Sequence, residues 1–113
     1  MTWDAHALAP DLLFVEVANA LWRKTAAAKE LSPREADHAF DLVRHSGIDL
    51  RPTGPLLPRA TDVARRLDHP VYDCVYLALA ERERAALVTA DQRLLRRLSL
   101  RRLGVSVADL RTL

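Results

Sequence analysis

The sequence predicts a three-layer α/β domain, with helices on both faces of a small parallel sheet. Two observations lead there. Stretches with apolar residues at helical spacing alternate along the chain with short, alternating or wholly apolar runs bounded by Gly, Pro or Asp. That order of helix and strand belongs to sheets whose parallel strands are joined by helical crossovers. The length of 113 residues is enough to bury roughly two thirds of the unfolded surface and leaves no room for a second core. Residues 1–113 are therefore read as a single domain.

The elements follow in order. His6 to Ala9 is short and apolar and ends at Pro10, after which Asp11 is placed to cap a helix over 11–29, with Leu13, Val17 and Leu21 at i, i+4, i+8. Ser32-Pro33-Arg34-Glu35 reads as a capping box with Pro at the first helical position. The helix it opens carries Ala36, Ala39, Phe40 and Val43 on one stripe and stops at Gly47. Ile48 to Pro52 alternates like a strand, and the turn Thr53-Gly54-Pro55 leads into a helix over 56–68. Pro70 starts a helix to Arg84, Ala86 to Ala90 is a buried strand, Gln92 to Leu103 is helical, and Val105 to Ala108 is a strand.

Composition narrows the function. Half of the residues are hydrophobic and 28% are charged, an ordinary globular balance, so the whole chain is expected to fold. Of 17 basic residues only Lys24 and Lys29 are lysines. Arginine suits bidentate phosphate recognition, but a GC-rich coding sequence gives the same bias without functional meaning and is the simpler explanation. The single Cys74 excludes an internal disulfide and a CxxC zinc site, and is expected to be buried filler. No basic-then-apolar leader opens the chain, and Asp11, Glu16 and Arg23 interrupt its most apolar N-terminal stretch. A cytoplasmic protein without a membrane role is expected. Glycine at only 47, 54 and 104 permits neither GxGxxG nor a Walker loop. His6, His38, His45 and His69 lack metal-ligand spacing and are expected at the surface or at caps.

Three carboxylates stand out: Glu16 in LFVEVANALW, Asp73 in HPVYDCVYLALAE and Asp91 in ALVTADQRLL. Each interrupts a run that otherwise reads as buried, where a lone carboxylate is costly. A shared divalent cation would keep all three ionised. Simpler duties are available to each. Glu16 shares a polar strip with Asn19 and Arg23 and suits the wet face of its helix; Asp73 suits a helix N-terminus, although Tyr76, Leu77 and Ala80 place it on an inward face. Asp91 suits an N-cap, yet it also ends a strand with Thr89 two residues back, where parallel α/β sheets gather ligands. Beyond it, Arg93, Arg96, Arg97, Arg101 and Arg102 are expected on a solvated outer face, with Leu94, Leu95 and Leu98 turned inward.

Taken together, APDLLFVEVANALWR, HPVYDCVYLALAE and LVTAD, in that order, closely resemble the PIN-domain nucleases, particularly the VapC-like toxins of bacterial type II toxin–antitoxin pairs. The resemblance covers almost the whole chain. It implies an endoribonuclease of the α/β/α kind, in which clustered carboxylates hold Mg²⁺ or Mn²⁺ and a water activated there attacks an RNA phosphodiester. Glu16, Asp73 and Asp91 match the family's acidic catalytic and metal-holding positions, with Asn19 and Thr89 beside them in support. A cognate antitoxin and a second copy of the chain are the implied protein partners.

The chain departs from that pattern at its start, because family members begin with a central hydrophobic strand ending in Asp-Ser or Asp-Thr-Ser, and none precedes His6. Asp4 is the nearest acidic residue, and Met1-Thr2-Trp3 is too short to make that strand. The expectation is a shortened PIN domain lacking the first strand and first aspartate, with its catalytic competence left open. Two other classes stay in view. One is a non-catalytic module that binds an antitoxin or dimer partner through Leu13, Val17, Leu21 and Trp22; the other is an arginine-rich nucleic-acid binder without chemistry.

Overall fold

The computed structural model describes residues 7–101 and 103–112. Met1 to Trp3, Asp4, His6 and Arg102, which figured in the sequence reading, lie outside the described residues. The chain forms two compact units, one ending at Arg51 and the other beginning at Pro52.

In the first unit, β1 (Leu8–Pro10) pairs in parallel with β2 (Asp49–Arg51), and helices α1 (Leu12–Ala26) and α2 (Pro33–Arg44) form the connection between them. The backbone N–H of Asp11 donates to the Arg51 carbonyl at 2.8 Å, so the pairing runs on to the start of α1. Asp11 occupies the expected N-cap, but its side chain makes no capping bond. The first helix ends three residues before its expected limit. Lys29 adopts a left-handed backbone conformation, and the N–H groups of Glu30 and Leu31 turn back to the Lys24 carbonyl, closing the helix without a glycine. The capping box forms as read, with the Ser32 hydroxyl accepting from Glu35 N–H and the Glu35 carboxylate accepting from Ser32 N–H. Phe14 and Phe40 meet edge to face at 5.8 Å and join the two helices. No residue of α1 is fully buried, and Val15 and Trp22 are exposed.

The second unit holds most of the buried residues. After a short 3₁₀ turn (Gly54–Leu56) come α2's successors α3 (Leu57–Leu67) and α4 (Val71–Glu83), then β3 (Leu87–Thr89), α5 (Gln92–Leu100) and β4 (Val107–Asp109). Ala60, Val63 and Leu67 line the apolar stripe of α3. Cys74, Val75 and the run Leu77 to Ala80 are buried around nearly the whole circumference of α4, which makes it the central helix of this unit. Cys74 is the buried filler expected, and burial pushes its thiol up to about 11. The Arg59 guanidinium grips both oxygens of Glu81 at 2.8 and 2.9 Å and ties α3 to α4. Strands β3 and β4 pair in parallel, with Leu87 opposite Val107 and Thr89 opposite Asp109.

The mixed α/β class and the parallel pairing agree with the sequence reading. The described strands, however, form two separate two-stranded sheets rather than one. Each is only three residues long, so each pair is the smallest ladder a crossover can close. Helix α5 stops at Leu100 because Arg101 is extended, and β4 begins two residues later than expected. Among the described residues, no helix is long and apolar enough to cross a membrane.

Candidate functional site

The site of the second unit is built by two connections, from α3 to α4 and from β3 to α5. At the end of α3, Asp68 adopts a left-handed conformation and its N–H, like that of His69, returns to the Ala64 carbonyl. That reversal places His69 just ahead of Pro70, which caps α4. His69 is only 5% exposed. One helical turn on, Asp73 sits in the first turn of α4, where the helix dipole favours an anion. The Nε2 of His69 lies 2.6 Å from a carboxylate oxygen of Asp73.

Asp91 arrives from the carboxyl end of β3. One of its oxygens, Oδ1, accepts the N–H groups of Arg93 and Leu94 at 3.0 and 3.1 Å and caps α5. The other, Oδ2, lies 4.0 Å from His69 Nε2. Capping thus occupies one oxygen and leaves the second turned toward His69 and Asp73. The Thr89 hydroxyl oxygen accepts the Asp91 N–H at 3.1 Å. The Leu94 N–H, with the Arg93 N–H assisting, holds the Asp91 carboxyl below the usual carboxylate range against the opposing effect of burial.

One ligand atom from each of His69, Asp73 and Asp91 falls within 4.8 Å of the others, a spacing that suits a metal ion. The side chains of Asp73 and Asp91 are 37% and 41% exposed. Two hard carboxylate oxygens, open to solvent on one side, fit a divalent cation that retains several waters. Asp73 and Asp91 are therefore brought together as the sequence suggested. Glu16 lies on α1 of the first unit, half-buried, with Asn19 exposed one turn along the same face.

Two functional candidates were misjudged from the sequence. His69 is neither at the surface nor a helix cap; it is buried between Asp73, Asp91 and α5. Its spacing of four residues before Asp73, one turn apart, was the available signal. Arg97 is not on the outer face of α5. It stands three residues from buried Leu94, on the inner face, and its guanidinium donates to His69 Nδ1 at 2.8 Å. Arg93, Arg96 and Arg101 are exposed as expected. His45 does act near a helix end, with its ring nitrogen 2.8 Å from the Asp41 carbonyl.

Comparison with known families agrees with this geometry. Residues 3–99 match the PIN domain, and the chain belongs to the PIN-domain family, a nuclease-type fold. No curated protein matches the chain.

Proposed function

We propose that the protein is a metal-dependent endoribonuclease of the VapC-like toxin kind, active in the cytoplasm and controlled by a cognate antitoxin. The observation that carries this reading is the convergence of Asp73 and Asp91, from α4 and from the end of β3, on one solvent-open point. Two carboxylates so placed repel each other unless a cation or proton lies between them. Mg²⁺, or Mn²⁺ in its place, suits this oxygen set. When bound, such a cation supplies an acidified water and neutralises charge building on the phosphate oxygens.

The residues of the chain divide the remaining work. Asp73 and Asp91 would hold the cation, and the Asp91 cap fixes the direction of its free oxygen. Thr89 pins the backbone from which Asp91 projects. Glu16, supported by Asn19, enters as a further acidic participant on the strength of the resemblance of its helix to the family. RNA cleavage in Mg²⁺ or Mn²⁺ is the test. Loss of at least about 100-fold in Asp73→Asn and Asp91→Asn supports the proposal; cleavage that is indifferent to metal or to both substitutions overturns it.

A second reading, binding of a protein partner, draws on the first unit. Its α1 buries no residue completely and exposes Trp22 to 61%. Trp22 lines a groove of about 320 Å³ together with Ala18, Leu21, Ala36 and Phe40, and with Thr25 and Asp37 as its polar members. An exposed aromatic in a mainly apolar groove is the surface a partner helix or a second copy of the chain would cover. This role is compatible with cleavage, as expected of a toxin held by an antitoxin.

A further inference from the structure

We propose that Arg97 locks His69 in its Nε2-protonated tautomer, making the ring a hydrogen-bond donor that positions Asp73 and denying it to the metal as a ligand. The inference rests on the reading of Asp73 and Asp91 as the metal-holding pair. By distance alone, His69 belongs to the possible ligand set. Its hydrogen bonds decide otherwise.

A neutral imidazole carries one N–H and one bare lone pair, whereas a guanidinium carries only donors and does not lose its proton. Arg97 faces His69 Nδ1 at 2.8 Å. Nδ1 must therefore be the bare nitrogen, because a proton there would set two donors against each other. The ring proton then resides on Nε2, where it is donated to Asp73 at 2.6 Å. A cation could take Nε2 only if that proton moved to Nδ1, directly against Arg97.

The arrangement reverses the usual one around a metal-bound histidine, whose second nitrogen donates to a carboxylate or carbonyl. Here the outer partner is a donor and the carboxylate sits on the metal side. His69 consequently acts as a positioning residue. It occupies one oxygen of Asp73 and leaves an all-oxygen site, which suits Mg²⁺ or Mn²⁺ and withholds the imidazole that Zn²⁺ favours. Arg97 thereby becomes a determinant of metal selectivity without touching the metal.

Two measurements on the full chain test this. In metal-free, ¹⁵N-histidine-labelled wild type near neutral pH, long-range ¹H–¹⁵N spectra, with the His69 ring assigned by through-bond correlation, should show the Nε2–H tautomer. An Nδ1–H or doubly protonated ring overturns the proposal. Calorimetric titration should then show that Arg97→Met gains about tenfold or more in Zn²⁺ affinity while Mg²⁺ affinity changes less than about threefold, a gain erased in Arg97→Met/His69→Phe. No selective Zn²⁺ gain overturns the lock. Failure of the wild type to bind either Mg²⁺ or Mn²⁺ overturns instead the metal-site reading beneath it, whatever tautomer the spectra show.

Discussion

His69 and Asp73 stand one helical turn apart, with the ring Nε2 2.6 Å from the carboxylate and the histidine side chain almost wholly enclosed. A buried N–H must keep its acceptor, since an unsatisfied donor costs about 1–3 kcal/mol. Asp73→Ala should therefore destabilise the fold by about that amount. Asp73→Asn keeps a carbonyl acceptor at the same place and should cost less than about 1 kcal/mol. Urea denaturation of the two variants checks the difference, and equal losses would contradict it.

Asp91 has two duties on two oxygens, and substitutions can separate them. Asp91→Ala removes the cap of α5 and should cost about 1 kcal/mol. Asp91→Ser restores a capping oxygen and should recover all but a few tenths of a kcal/mol, yet it carries no charge for a cation. Stability by denaturation and Mn²⁺ binding by calorimetry should thus part company in the Ser variant. Recovery of both together would show that the free oxygen has no role at the metal.

Acid should unfold the chain through a definable set of carboxyls. Ser32 holds Glu35 below its ordinary range, the Arg59 guanidinium holds Glu81, the Leu94 N–H holds Asp91, and Arg111 holds Asp109. Each is lowered in the folded state, so the unfolded chain binds more protons as the medium becomes acidic. Their contribution is fully present above the unfolded carboxyl values, about pH 4.5, and is lost as pH falls through the lower folded values. The urea midpoint should drop between about pH 5 and pH 3, with a shallower drop in Glu81→Gln. A midpoint that rises on acidification would contradict this assignment.

Much of this was legible in the sequence because the signals were local. Ser32 and Glu35 sit three residues apart and bond each other, so the capping box needed no tertiary information. Asp73 and Asp91 were visible as charges interrupting apolar runs, and the structure brings both to one point. Arg97 was illegible for the opposite reason. It lies 28 residues from His69, and its role comes from a bond between α5 and the α3–α4 turn, which no local pattern encodes. The end of α1 was overestimated because alanines and lysines favour helix, while the left-handed turn at Lys29 depends on carbonyls a turn earlier. The pairing of strands into two sheets was likewise a matter of long-range register.

Trp22 offers a check on the partner-binding role. It is 61% exposed, so Trp22→Ala should leave stability within about 0.5 kcal/mol. The same change should weaken association with an antitoxin, or self-association, by about tenfold or more, as loss of an aromatic anchor does. Analytical ultracentrifugation across a concentration series, with and without the antitoxin, reads both. Unchanged association would remove Trp22 from the interface.

The claim on which the rest depends is that Asp73 and Asp91 hold one divalent cation between them. Calorimetric titration of Mn²⁺ into the 113-residue chain, beside Asp73→Asn and Asp91→Ser, tests it most directly. We expect one saturable site in the wild type, weakened by at least about tenfold in each variant while the fold survives. A wild type without a saturable site, or a site of undiminished affinity in both variants, would contradict it.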